Sequence, residues 1–268
     1  MNNVGVIFRR TLRDSRRSML GWGIGLALLA FYVTVVYPQI EGLEELNQLL
    51  GNPVFQAIIP DLDEIDYTTP EGFLALEFFS WAPLILAVFG VMFGLGIVAG
   101  EEDRGTLDVL LSTPVPRWRV IVEKFAALIV VVLLIFAITS VGFLAALAVT
   151  PQLEIPLLQV AGGVVNMLPV TLLMAALALC FSTLLRSRGQ AGGLTAAIIV
   201  ASYFLNSLPA MASGDLEKLR YLSFYYYYDA LTTLTDGIVW GNFLLLTAIA
   251  AVLLGLAIFF FERRDLAV

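Results

Sequence analysis

The chain has no histidine and a single cysteine, Cys180, in 268 residues. The first absence removes imidazole as a metal ligand, haem ligand or proton relay, and the second removes any internal disulfide. Charge is scarce as well. Asp, Glu, Lys and Arg make up 14% of the residues, against about 25% in soluble domains, while 59% are hydrophobic and mean hydropathy is +0.89. Such a chain is an integral membrane protein. A phosphate loop is also missing. Gly100 to Thr106 holds two glycines and a threonine, but Arg104 precedes Gly105 and no lysine follows it, so ATP-driven work must borrow its ATPase from elsewhere. Intramembrane catalysis needs a nucleophile with a base, paired carboxylates or a metal, and Glu77 is the only acid well inside an apolar run. No metal site is expected either. The acidic stretch Asp61 to Gly72 departs from a calcium loop at its fifth, sixth and twelfth places, which hold Ile65, Asp66 and Gly72.

What is present is apolar sequence in membrane-length runs. About 20 apolar residues cross roughly 30 Å of hydrocarbon, and six segments qualify: 19–37, 73–99, 125–149, 160–185, 190–208 and 241–261. The expected fold is therefore an all-α membrane protein forming a single transmembrane domain over 1–268. Residues 1–18 read as an amphipathic helix lying in the interface ahead of the first span. Val4, Ile7, Phe8 and Leu12 share one side, and Arg9, Arg13, Arg16 and Arg17 the other. Of the 15 Lys and Arg residues, 13 fall on one side of a six-span arrangement and only Lys218 and Arg220 on the other. The positive-inside rule then places both termini and the 100–124 loop in the cytoplasm, with 38–72 and 209–240 outside. The outer segments are acidic, and 209–240 carries Tyr225 to Tyr228, Asp229 and Trp240, residues suited to the headgroup zone.

Inside the spans, Gly94, Gly96 and Ala99 imitate a dinucleotide fingerprint, but they lie in a membrane segment rather than at a strand-to-helix turn. Gly21 with Gly25, Gly90 with Gly94, and Gly96 with Gly100 fit helix packing better, because small residues let backbones approach in lipid, within one chain or across a dimer. Glu77, Asn166 and Asn206 are the candidate polar groups along a pathway.

The 100–124 loop stands out as a long charged passage between two apolar runs. It opens on Glu101, Glu102, Asp103 and Arg104. Gly105 and Thr106 signal a helix start, Leu107, Leu110 and Leu111 fall on one helical face, and Pro114 ends the turn. Pro116 then begins the next helix, which carries Arg117, Arg119 and Lys124. A leucine face of this kind needs cover, from the chain's own helix ends, from lipid or from a partner.

From Asp103 to Arg117 the order is Asp103-Arg104-Gly105-Thr106-Leu107-Asp108-Val109-Leu110-Leu111-Ser112-Thr113-Pro114-Val115-Pro116-Arg117. This resembles the permease subunits of ABC transporters of the type-2 exporter family, where the corresponding stretch reads E-x-G-T-x-(D/E)-x-L-L-x-x-P-V-x-R, with Asp103 here in place of the usual glutamate. The resemblance implies a coupling helix docking on a separate ATP-binding subunit through Glu101, Glu102, Asp103, Arg104, Gly105, Thr106, Leu107, Leu110, Leu111, Pro114 and Arg117. It implies that ATP and magnesium are bound by that subunit and that this chain needs no cofactor. It also implies two permease chains, a homodimer, around a central pathway in the cytoplasmic membrane of a prokaryote, with lipid but no nucleic acid as a further partner. A channel or carrier acting alone, or an ATPase-coupled subunit that moves no solute, remains an open alternative.

Overall fold

The computed structural model describes residues 5–40, 69–103, 105, 116–151, 153, 155–185, 187–207 and 215–264. Among these, helices joined by turns make up the fold and no strand occurs. The elements are α1 (Val6–Ile40), α2 (Pro70–Leu74) leading into a π-helical turn (Ala75–Phe79), α3 (Ala82–Ile97) and α4 (Ala99–Asp103). Then follow α5 (Arg117–Val149), α6 (Leu157–Leu184), α7 (Arg188–Ser207), a 3-10 turn (Asp215–Leu222), α8 (Ala230–Thr235) and α9 (Trp240–Arg263).

Among the described residues five stretches are long and apolar enough to cross a membrane: Val6–Pro38, Pro70–Ile97, α5, α6 and α9. The sixth expected segment is also a helix, α7, of 20 residues. Its Gln190, paired glycines, Thr195, Ser202 and Asn206 dilute its hydropathy, and it is not among the five. The boundary expected near residue 18 is absent. Val6 to Ile40 is one helix of 35 residues, roughly 52 Å at 1.5 Å per residue, so the basic amphipathic stretch continues straight into the apolar one. Nothing between Arg16 and Gly21 stops a helix, since neither proline nor a left-handed residue intervenes.

The bundle is organised around α6. Every residue from Pro169 to Cys180 is buried, as suits a helix that is apolar on all sides. Three neighbouring pairs run parallel. Gly23 lies against Ile138 and Gly142 against Ala27, which sets α1 alongside α5 in one direction, and Gly90 against Thr171 with Gly94 against Ala175 does the same for α3 and α6. Gln159 reaches Thr235 near one end of α6 and Ser182 is bonded by Arg264 at the other, aligning α9 likewise. The basic ends of α1, α5 and α9 therefore collect at one end of the molecule, and Tyr225 to Tyr228, with Arg220 against Tyr226, at the other.

The closest helix contacts are made by glycine. A Cβ on Gly142 would strike the backbone of Ala27, with its Cα only 2.7 Å away, and one on Gly94 would strike the carbonyl of Ala175. Gly163 is bare beneath the ring of Phe79, 2.8 Å from where a Cβ would lie. Phe79 in turn stacks on Phe143 at 5.7 Å, and Phe78 meets Phe143 edge-on at 4.9 Å. By contrast, Gly21, Gly25 and Gly96 face open space within the chain, and Gly100 has only loose neighbours. Gly142→Ala should lower the thermal unfolding midpoint of the detergent-purified protein by several degrees, an overpacking cost of about 2 kcal/mol. Gly96→Ala should leave the midpoint unchanged, and equal midpoints for the two variants would refute this account of the α1 and α5 contact.

Candidate functional site

At the basic end, α3 stops at Ile97 and the chain turns through Val98 into α4, whose last three residues are Glu101, Glu102 and Asp103. Gly105 closes the turn in the left-handed region, at φ +65°, with its amide donating to the carbonyl of Glu102 at 2.9 Å. Glu101 and Glu102 lie in the first turn of this short helix and Asp103 follows at once; neighbouring carboxylates repel one another, and nearby cations offset that repulsion. Lys124 of α5 donates from Nζ to Glu101 Oε1 at 2.8 Å and to the carbonyl of Ile97 at 3.2 Å. The lysine is buried, at 7% exposure, and a buried ammonium is tolerated only with such partners. Arg264, just past α9, donates from Nη2 to both oxygens of Glu102, at 3.0 and 3.2 Å, and from Nη1 to the carbonyl of Ser182 near the end of α6, at 3.1 Å. Arg117 donates to the carbonyl of Arg264 at 2.8 Å. Four helix ends are thus held together by charge-assisted bonds to carboxylates and to carbonyls that the helices cannot satisfy themselves.

Beside this network, Glu123 of α5 accepts from the amides of Gly5 and Phe8 at 3.2 and 3.1 Å and from Arg119 Nε at 2.8 Å. The first turn of α1 has no acid of its own, so a carboxylate from another helix caps it.

The expected docking residues divide accordingly. Glu101 and Glu102 are bonded within the chain, Asp103 and Gly105 are exposed, and Arg117 is tied to Arg264. Arg104, Thr106, Leu107, Leu110, Leu111 and Pro114 lie outside the described residues, as does the acidic stretch 41–68. Lys124, Glu123, Arg264 and Ser182 belong to the site but carried no motif. The available signal was electrostatic: acids at a helix end call for cations, and Lys124 stands at the start of an apolar run where a lone charge is costly.

The candidate pathway residues are spread over three elements. Glu77 is exposed on the π-helical turn. Asn166 is buried in α6 and donates to the hydroxyl of Thr233 at 2.9 Å. Asn206 is buried near the end of α7, its side-chain oxygen without a hydrogen-bond partner. Their polar contacts do not link them. Among the described residues no three His, Cys, Asp or Glu side chains are grouped to hold a metal.

At the tyrosine end the second crossing is interrupted. Pro83 has no N–H to give to the carbonyl of Phe79, its partner in a regular helix, and the hydroxyl of Tyr228 donates there instead, at 3.0 Å. Burial raises the Tyr228 phenol above its ordinary pKa, with Asp229 and Tyr225 adding to the effect, so it stays a donor. Ser223 fixes the same segment to α7, donating to the carbonyl of Ser202 at 2.6 Å.

A helical chain whose described residues include five stretches able to cross a bilayer is a multi-pass membrane protein. The family model described as "ABC-2 family transporter protein" matches residues 6–266. The chain belongs to this family of transporter membrane proteins. No curated protein matches it.

Arg264→Glu should destabilise the purified protein by about 1 kcal/mol, since the pair with Glu102 is partly exposed. Combining it with Glu102→Arg should restore at least half of the loss in thermal midpoint, and an additive double variant would count against the pairing. Tyr228→Phe should cost about 2 kcal/mol by leaving the Phe79 carbonyl unsatisfied, read in the same melting experiment.

Proposed function

We propose that the chain is the permease subunit of an ATP-driven ABC exporter and that it forms the translocation pathway with a second copy of itself. It has no catalytic role; a separate cytoplasmic subunit binds ATP and magnesium and hydrolyses the nucleotide. The family match over residues 6–266 is the observation that carries this reading, and the lack of a phosphate loop agrees with it. In this reading α7 is a sixth crossing. It starts beside Gly100, where Arg188 approaches, and ends at the tyrosine end, where Ser202 meets Ser223. Its polar side chains Thr195, Ser202 and Asn206 are buried and so face helices rather than lipid. Six crossings place both termini and the basic end in the cytoplasm of a prokaryote.

The 104–115 segment is the docking element in this scheme, presenting Leu107, Leu110 and Leu111 to the ATPase. Its stem supports the role. Because Glu101 is bonded to α5 and Glu102 to the end of α9, a displacement of the docked segment is passed to the ends of α3, α5, α6 and α9 together. When ATP draws two ATPase subunits together, those helix ends move as a group and the pathway changes its opening.

The test is co-purification with the ATP-binding subunits of the source genome. Changing Leu107, Leu110 and Leu111 to Asp should abolish recovery of an ATPase with the permease while membrane insertion is retained. Undiminished recovery would refute the docking assignment, and ATP-independent movement of cargo by the chain in vesicles would refute the exporter reading.

A further inference from the structure

Gly21 and Gly25 leave a gap on α1 that no other described part of the chain fills. With Trp22, Leu26 and Leu29 of α1 and Ile85 of α3 they line a cavity of about 290 Å³, near the lower end of ligand-sized pockets. Its lining has no charged side chain, and Trp22 is braced from behind by Phe89, with ring centroids 5.9 Å apart. In a membrane protein this is a slot for hydrocarbon.

The neighbouring turns of α1 specify which hydrocarbon. Arg13, Arg17, Gly21, Gly25 and Leu29 follow one another at intervals of four, which makes them a single ridge along the helix, about 6 Å from one to the next. The ridge therefore passes from two guanidinium groups directly to the mouth of the cavity. Arg9, Arg10, Arg13, Arg16 and Arg17 are all exposed. The one acid among them, Asp14, lies 3.7 Å from Arg10. Among the described residues Arg13 and Arg17 have no acidic partner. An apolar slot one turn from Arg17 and two turns from Arg13 matches a molecule with a phosphate at one end and an acyl chain at the other.

We propose that α1 carries a binding site for an anionic phospholipid, with one acyl chain in the cavity and the phosphate held by Arg13 and Arg17. The site requires only that α1 crosses the bilayer, and it stands or falls separately from the ATPase-coupled reading. Guanidinium groups bind phosphate oxygens in pairs, and each basic residue at a membrane surface enriches anionic lipid roughly fivefold.

Trp22 reports on occupancy. In full-length protein carrying Trp81→Phe, Trp118→Phe and Trp240→Phe, all at exposed positions, Trp22 is the only tryptophan left. The protein is placed in phosphatidylcholine vesicles, and acyl-brominated phosphatidylglycerol or acyl-brominated phosphatidylcholine is titrated in. Half-maximal quenching is expected at a roughly 25-fold lower mole fraction of the brominated phosphatidylglycerol, about fivefold from each arginine, and Arg13→Gln with Arg17→Gln should bring the two curves together. Identical curves in the starting protein, a preference that survives both arginine substitutions, or a Trp22 that neither lipid quenches because a second copy of the chain covers it, would each overturn the proposal. Native mass spectrometry of the chain with all its tryptophans gives a second reading: Gly25→Leu should lose one retained phosphatidylglycerol per chain, and an unchanged count would overturn it.

Discussion

A backbone carbonyl left open in hydrocarbon has no water to turn to, and the whole bundle answers to that constraint. At several points where a helix stops or breaks, a side chain from a different helix or turn completes it. Tyr228 supplies the donor that Pro83 lacks, Lys124 takes the carbonyl of Ile97, and Arg264 takes that of Ser182. At the amide end of α1, Glu123 accepts from Gly5 and Phe8. These bonds join elements far apart in sequence, so satisfying the backbone and fixing the tertiary arrangement are one event.

The same bonds give the charged stem its character. Glu101, Glu102 and Asp103 crowd like charges together, and the cost is offset only while Lys124 and Arg264 stay in place. A stem of this kind is stiff toward small forces and changes by exchanging partners rather than by bending. Glu102 and Arg264 are the more exposed pair and Glu101 and Lys124 the more enclosed one, so rearrangement should begin on the Arg264 side.

Hydropathy made the apolar runs legible, and with them the helical class, because the apolar lengths of α5, α6 and α9 leave few other structures open to them. It could not show that α1 is unbroken, since an amphipathic stretch and an apolar one can join as one helix or meet at a bend with the same composition. Paired glycines were a partial guide. Gly90 and Gly94 sit under α6, but Gly142, Gly23 and Gly163, which make equally close contacts, have no glycine four residues away. What makes a glycine a packing surface is the residue across from it, and that depends on how two distant helices are aligned. The bond from Tyr228 to Phe79 was hidden for the same reason: Pro83 announced an open carbonyl, but 149 residues separate that carbonyl from its donor.

The shared direction of α1 and α5 has a bearing on biogenesis. Two parallel helices cannot insert as a hairpin, and Glu123, which completes the first turn of α1, lies 118 residues beyond Gly5. At ribosomal rates of roughly 5 to 20 residues per second, that separation is on the order of 6 to 24 s. For that interval α1 lies in the bilayer without its mate, with the bare surfaces of Gly21, Gly23 and Gly25 turned to lipid or to the insertion machinery. The interval between synthesis of α1 and of α5 is thus the stage at which this pair is most open to capture by a chaperone, or to pairing with the wrong neighbour.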